Sequence, residues 1–368
     1  MQVIIPISVI ALFLSIIASY NKRSYGLEFC FLIVTLIQSI HYNVGSDYMV
    51  YYYNFLDFLS GNYSFNELFD EDVIKYNEYG WGVLQWLFGK LFGKNGFFVL
   101  VAVLSIVQNL IYYFFIKSHV DRRWWALSVF IYLFTPSFYL LGYSGLRQWF
   151  VLSISVVVFM LIENRQYLLA ILLVIVGSSI HTSAWVVLLY IILAIIPFKS
   201  GKFFGLFYPL LFLLLFLNTN IVESFFGVLF SNDTFEIYSI YQDTQQGSMR
   251  SYGLGFILNM VPFLVSCIFL YKSTYNRNRH LLVMISCLGT LVIPFGTMAP
   301  LVSRISHYFT ILSLSSLPMM YKWIKFPYIR FLCIIILIAI SVTEYILFFT
   351  QGIFHTSYSD YHTIFSVV

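Results

Sequence analysis

Charge is what this chain lacks most. Only 10% of its 368 residues are Asp, Glu, Lys or Arg, and 60% are hydrophobic, whereas a soluble domain carries about 25% charged residues. That shortage excludes a soluble globular fold. The formal net charge of +4 is spread over dispersed loops and gives no footing for nucleic acid. Cysteine is equally sparse: Cys30, Cys267, Cys287 and Cys333 all fall within apolar runs, unpaired in sequence, and suggest neither a disulfide nor a metal site. The chain has no Walker loop, dinucleotide fingerprint, HExxH, GxSxG or CxxC. These absences argue against ATP chemistry and bound cofactors. Carboxylates within apolar spans are limited to Glu344 and perhaps Glu223, both near span ends, which argues against an ion-driven transporter.

What the chain does have is long apolar runs. In hydrocarbon only helices and closed barrels satisfy the backbone, and continuous runs without alternation exclude the barrel. The expected fold is therefore an all-α polytopic integral membrane protein, one transmembrane domain over residues 1–368 in contact with the lipid bilayer. Windows of about 17–20 apolar residues give twelve spans (bounds of 11 to 13), near 3–19, 25–42, 97–116, 124–141, 147–162, 166–181, 182–198, 203–217, 254–272, 280–299, 305–321 and 330–350. The first run reads as a retained helix rather than a secretory signal, because Lys22 and Arg23 follow it. The stretch 80–93, GWGVLQWLFGKLFG, reads equally as re-entrant, interfacial or spanning. Placing both termini outside leaves only Lys75, Lys90, Lys94, Arg147, Arg250 and Arg304 of the 20 basic residues on the outer side, as the positive-inside rule demands. Two long outer loops follow, 43–80 and 218–253, each too small for its own core.

The few polar groups on the outer side are the candidates for function. Arg147, followed by Gln148, and Arg304, followed by Ser306 and His307, each sit where a helix enters the membrane. Singly, each could be an arginine snorkelling to headgroups. Together, guanidinium forks at helix N-termini suit a phosphate or diphosphate. Arg250 ends the second loop. His181 lies in a polar hairpin, GSSIHTSAW, as either a turn residue or a proton acceptor. Asp47 and Glu78 bracket the first loop. Each reads plainly as the acid at a helix start, while Tyr48, Tyr51 and Tyr52 beside Asp47 could form an interfacial belt or a surface for sugar rings.

Five short motifs then carry a resemblance: VGSDYMVYYYNF (44–55), EYGW (78–81), SGLRQWFVLSISVVVFML (144–161), IHTSAWVVLLYIILAIIP (180–197) and RISHYFTI (304–311). In this order they resemble the Wzy-type polysaccharide polymerases, most closely the EpsG-like branch, over most of the chain. The resemblance implies a C-type glycosyltransferase of the bacterial inner membrane with its active site facing the periplasm. Such an enzyme joins undecaprenyl-diphosphate-linked oligosaccharide repeat units, with undecaprenyl diphosphate as leaving group and without metal or cofactor. It implies catalytic roles for Asp47, Arg147, His181 and Arg304, and a chain-length-regulating co-polymerase as partner. Substrate-binding roles are expected for Tyr48, Tyr51, Glu78, Gln148, Arg250 and Tyr308. The arginine-rich loop pattern of other Wzy proteins is not evident around Arg250. Either His181 or Asp47 serves as the base. The alternatives are an O-antigen ligase or related lipid-linked glycosyltransferase, and a flippase of lipid-linked oligosaccharide.

Overall fold

The computed structural model describes residues 2–70, 73, 78–218, 254–293, 302–350 and 352–366. Among these the chain is helical nearly throughout, with one sheet of two short strands. It divides into two units: residues 1–191 with 341–368, and residues 192–340.

The first unit contains α1 (Ile4–Tyr20), α2 (Gly26–Ser39), α3 (Tyr48–Ser60), α4 (Tyr79–Phe92), α5 (Gly96–His119), α6 (Trp125–Phe134), α7 (Leu146–Glu163) and α8 (Tyr167–Ile180). Its first helix is built inside out. In α1 the buried stripe is Ser8, Ala11, Ser15 and Ala18, while Val9, Ile10, Phe13 and Ile17 face outward. Small residues bring backbones together: a Cβ on Gly26 of α2 would lie 2.3 Å from the Leu14 carbonyl oxygen. This is how helices associate in lipid, where large apolar side chains gain nothing by turning inward. Polar pins add to the buried apolar side chains of α5, α6 and α7. Asn109 Nδ2 of α5 donates to Gln38 Oε1 of α2 at 2.7 Å, and the Tyr132 hydroxyl of α6 donates to Asn109 Oδ1 at 2.7 Å.

Among the described residues three apolar helical stretches are long enough to cross a membrane: Tyr79–His119, Leu146–Glu163 and Pro327–Thr350. The first breaks at Gly93, whose φ of 57° ends α4. A Cβ on Gly96 would lie 2.3 Å from the Phe88 carbonyl oxygen, a proximity that only a chain folded back on itself allows. The segment 80–93 is therefore one arm of a tight hairpin. At 1.5 Å per residue α4 is about 21 Å long and does not cross a core of about 30 Å by itself. α5 and α7 run parallel, with His119 Nε2 of one C-terminus 2.5 Å from Glu163 Oε2 of the other.

Several expected spans are shorter or broken. The span at 124–141 ends at Phe134, because Thr135 precedes Pro136 and is extended (ψ 107°); a 3-10 turn, Leu140–Tyr143, follows. The span at 182–198 is a 3-10 turn, Thr182–Val187, continued by the helix Leu188–Ile195. The span at 305–321 is split into Ser306–Thr310 and Ser313–Trp323. The first long loop, 43–80, contains α3 and a 3-10 turn at Asn66–Phe69. The second lies outside the described residues from 219 onward, and Arg250 and Glu223 with it.

The C-terminal segment folds back onto the end of α2. Strand β1 (His41–Tyr42) pairs antiparallel with β2 (His362–Thr363). The Ile364 amide donates to the Ile40 carbonyl at 2.9 Å and the Gly45 amide to the Ser357 carbonyl at 2.8 Å. Gly45 has φ +91°, and a Cβ there would meet Ser144 Cβ at 2.3 Å and the Tyr358 hydroxyl at 2.8 Å. Only glycine fits that corner. In the second unit, Lys202–Leu217, Leu254–Lys272 and Arg277–Leu291 pack closely. A Cβ on Gly205 would lie 2.7 Å from the Cys267 carbonyl oxygen. All four cysteines are buried and free.

Candidate active site

Glu78 is the hub of the site. It occupies the N-cap position of α4, and its carbonyl accepts from the amides of Trp81 and Gly82. Gly80 sets its position. A Cβ at 80 would lie 2.3 Å from Ser179 Oγ, so the bare backbone lets the start of α4 press against the end of α8. His181 caps that end in an extended conformation, its amide donating to the Gly177 carbonyl. Its Nδ1 lies 2.8 Å from Glu78 Oε1, which also accepts from the Thr182 amide at 3.2 Å.

Arg147 comes from the first turn of α7. Its Nη1 donates to Glu78 Oε2 in a close ion pair. The N-cap, Gly145, is held against the indole of Trp149, where a Cβ would lie 2.3 Å from the ring. The guanidinium sits 5.2 Å from the centre of the Tyr51 ring, and its Nε donates to the Tyr51 hydroxyl at 3.4 Å. Tyr51 stands edge-on to Trp81, with ring centres 5.8 Å apart. One carboxylate thus holds a guanidinium and an imidazole, beside an aromatic wall.

Exposure separates the roles. The Glu78 side chain is 6% exposed, against 27% for Arg147 and 21% for His181. The anion is sealed and its two partners face outward. Burial pushes the Glu78 carboxyl up, but the His181 hydrogen bond and the Arg147 charge outweigh it and hold the group below its ordinary range.

The other expected residues distribute differently. Asp47 takes the N-cap position of α3, one turn before Tyr51, and accepts from Ser46 Oγ at 2.9 Å. Tyr48 is fully buried, its hydroxyl donating to the His41 carbonyl at 3.1 Å, so it supports α3 from behind rather than presenting a face. Gln148 is also buried. Arg304, on the 3-10 turn Val302–Ile305, and buried Tyr308, on Ser306–Thr310, belong to the second unit. Among the described residues no three His, Cys, Asp or Glu side chains gather in a way that could hold a metal ion.

Sequence reasoning weighed Glu78 as the acid of a helix start and, through the resemblance, as a substrate-binding residue, and missed its place between Arg147 and His181. The signal was the adjacent Gly80, which marks a close backbone approach. It saw Thr182 only as part of the polar hairpin, and gave no role to Gly45 or its partners Ser144 and Tyr358.

A family model for the EpsG family matches residues 25–363. The chain belongs to the EpsG family. The matched stretch contains every residue of the hub, Tyr51, Glu78, Arg147 and His181, together with Asp47 and Arg304. EpsG-family membership makes this a membrane protein of the polysaccharide-polymerase kind. No curated protein and no solved structure matches it.

Proposed function

We propose that the protein is a polysaccharide polymerase of the bacterial inner membrane. It joins oligosaccharide repeat units carried on undecaprenyl diphosphate, at the periplasmic face. The growing glycan passes from its lipid diphosphate to a hydroxyl on the sugar of a second lipid-linked unit. The observation that carries this reading is the convergence of Arg147 and His181 on Glu78 beside the Tyr51–Trp81 wall.

That arrangement suits the chemistry. Breaking a glycosyl–diphosphate bond builds negative charge on the leaving oxygen, and a fixed guanidinium stabilises it as it develops. Arginine's fork also matches two phosphate oxygens at once. The acceptor hydroxyl must give up a proton, which an imidazole near neutrality takes. Aromatic faces beside the charged pair suit sugar rings. Arg304 is assigned a supporting role at the diphosphate from its sequence motif, and a chain-length-regulating co-polymerase is the expected partner.

The test is polymerisation by the purified protein in liposomes. The substrate is a lipid-linked repeat unit extracted from a strain lacking the gene. The expected product is a ladder of glycans on undecaprenyl diphosphate. Product confined to single units on a lipid A core would make it a ligase, and movement of intact units across the bilayer without elongation would make it a flippase.

A further inference from the structure

Glu78 is shared. One oxygen, Oε2, pairs with Arg147, and the other, Oε1, accepts from His181 Nδ1 at 2.8 Å and from the Thr182 amide. Its side chain is 6% exposed, so neither partner can be replaced cheaply by water. The hold on Nδ1 fixes the tautomer of neutral His181: the proton is on Nδ1, and Nε2 carries a lone pair. Among the described residues Nε2 has no hydrogen-bond partner. Arg147 has a second partner in the Tyr51 hydroxyl at 3.4 Å, longer than the usual range. Its ion pair with the Glu78 carboxylate is the closer of these two ties.

Resting on the polymerase reading above, we propose that Glu78 is a switching counter-ion that couples diphosphate capture at Arg147 to proton acceptance at His181. When the donor's diphosphate takes the Arg147 fork, the guanidinium moves toward two phosphate oxygens and loosens its pairing with Oε2. The carboxylate charge is then available to His181. Acceptor oxygen bonds to the sugar C1, and the C1–O bond to the diphosphate breaks with its electron pair on the diphosphate oxygen. The hydroxyl proton passes to His181 Nε2. The imidazolium now neutralises Glu78, so Arg147 stays on the leaving undecaprenyl diphosphate. Loss of that proton to water returns the carboxylate to Arg147 and releases the product.

Coupling of this kind is reciprocal. A donor that is bound raises the proton affinity of His181, and a protonated His181 tightens the grip of Arg147 on diphosphate. The order of events follows: the base is strongest only when the electrophile is in place, which protects the lipid-linked donor from hydrolysis by water. Glu78 is on this account a positioning residue. It touches neither substrate, and its effect passes through the two groups it holds.

The test sets binding against turnover. Binding of undecaprenyl diphosphate is measured for wild type, Glu78→Gln and Arg147→Ala, alongside elongation of the extracted lipid-linked unit. Glu78→Gln removes the ion pair that holds Arg147 and the anion behind His181. The expected result is turnover lower by about 10²–10⁴-fold, the usual worth of a general base, with undecaprenyl diphosphate bound at least as tightly as by wild type. Glu78→Asp should recover part of the rate. Arg147→Ala should weaken binding, and His181→Gln should lose turnover while still binding undecaprenyl diphosphate. A Glu78→Gln protein that binds undecaprenyl diphosphate more weakly, or that elongates within about threefold of wild type, overturns the coupling. A collapsed fold lowers both quantities together and is recognised by its melting temperature; His181→Gln then decides, and its normal elongation would overturn the assignment. If wild type elongates no lipid-linked unit, the polymerase reading fails, while the binding comparison still decides whether Glu78 restrains Arg147.

Discussion

Replacing Gly80 with alanine separates geometry from stability at this site. The added Cβ would lie 2.3 Å from Ser179 Oγ and 3.0 Å from the Ser179 carbonyl carbon, where ordinary contacts begin at 3.4 Å. The hydroxyl cannot simply turn aside, because it donates to the Val176 carbonyl at 2.7 Å, a bond worth about 1 kcal/mol. The start of α4 must therefore move off the end of α8 by about 1 Å. Overpacking of this size costs about 1–3 kcal/mol. Alanine in place of glycine in a helix returns about 1 kcal/mol, so the net loss is about 0–2 kcal/mol and the protein stays folded. The site does not tolerate the same movement. Glu78 and His181 lie two residues from the clash on either side, and a 2.8 Å hydrogen bond stretched by about 1 Å no longer exists. A misplacement of this order costs about 10²-fold in rate. Elongation of the lipid-linked unit in liposomes, read beside the melting temperature, tests this. Ser179→Ala in the same chain should restore part of the rate, since it removes the nearest atom but leaves the carbonyl carbon. Wild-type elongation by Gly80→Ala would refute the close approach as the cause of the site's geometry.

Arg147→Lys keeps the charge and loses the fork; elongation should fall by about 10²-fold, measured as initial rate at saturating donor, and a rate near wild type would show that bidentate contact is not used. Glu78 is held below its ordinary range in the folded protein, so the unfolded chain binds more protons in that window and stability rises with pH there. Acidification below about pH 4 should therefore lower the melting temperature as pH falls through the folded value, and Glu78→Gln should flatten that limb. Tyr358 is fully buried with its hydroxyl 3.1 Å from Ser144 Oγ; Tyr358→Phe should cost about 1 kcal/mol in stability and Tyr358→Ala about 3–5 kcal/mol, followed by intrinsic fluorescence on heating. Elongation should persist in excess chelator, measured by the same ladder of products.

The fold class was legible because hydrophobic runs report burial in lipid without any knowledge of partners. Long helices such as α5 and α7 lie within a few residues of the runs that announce them. Shorter elements were not legible, since a run of apolar residues looks the same whether it crosses, turns back or breaks. Gly93 and Gly96 close the α4–α5 hairpin through a backbone contact that no hydropathy average contains. In the site, Arg147 and His181 stood out because polar residues at helix ends are rare in so apolar a chain. Their meeting point did not, because Glu78 lies 69 residues from one and 103 from the other, and its motif also fits an ordinary helix start. Gln38 and Asn109 were passed over for the converse reason: neutral amides lower a hydropathy window only slightly, although the two side chains pin α2 to α5.

The pairing of β1 with β2 bears on the timing of assembly. The Ile364 amide and the Ile40 carbonyl are joined across almost the whole sequence, and the corner at Gly45, two residues before Asp47, waits on Ser357 and Tyr358. Synthesis at about 5–20 residues per second leaves the segment after α2 without its partner for roughly a quarter of a minute to a minute after it emerges. The wall that leads into α3 therefore closes only after residues 357–364 have left the ribosome. A chain stopped short of residue 357 would insert its helices and still lack that wall.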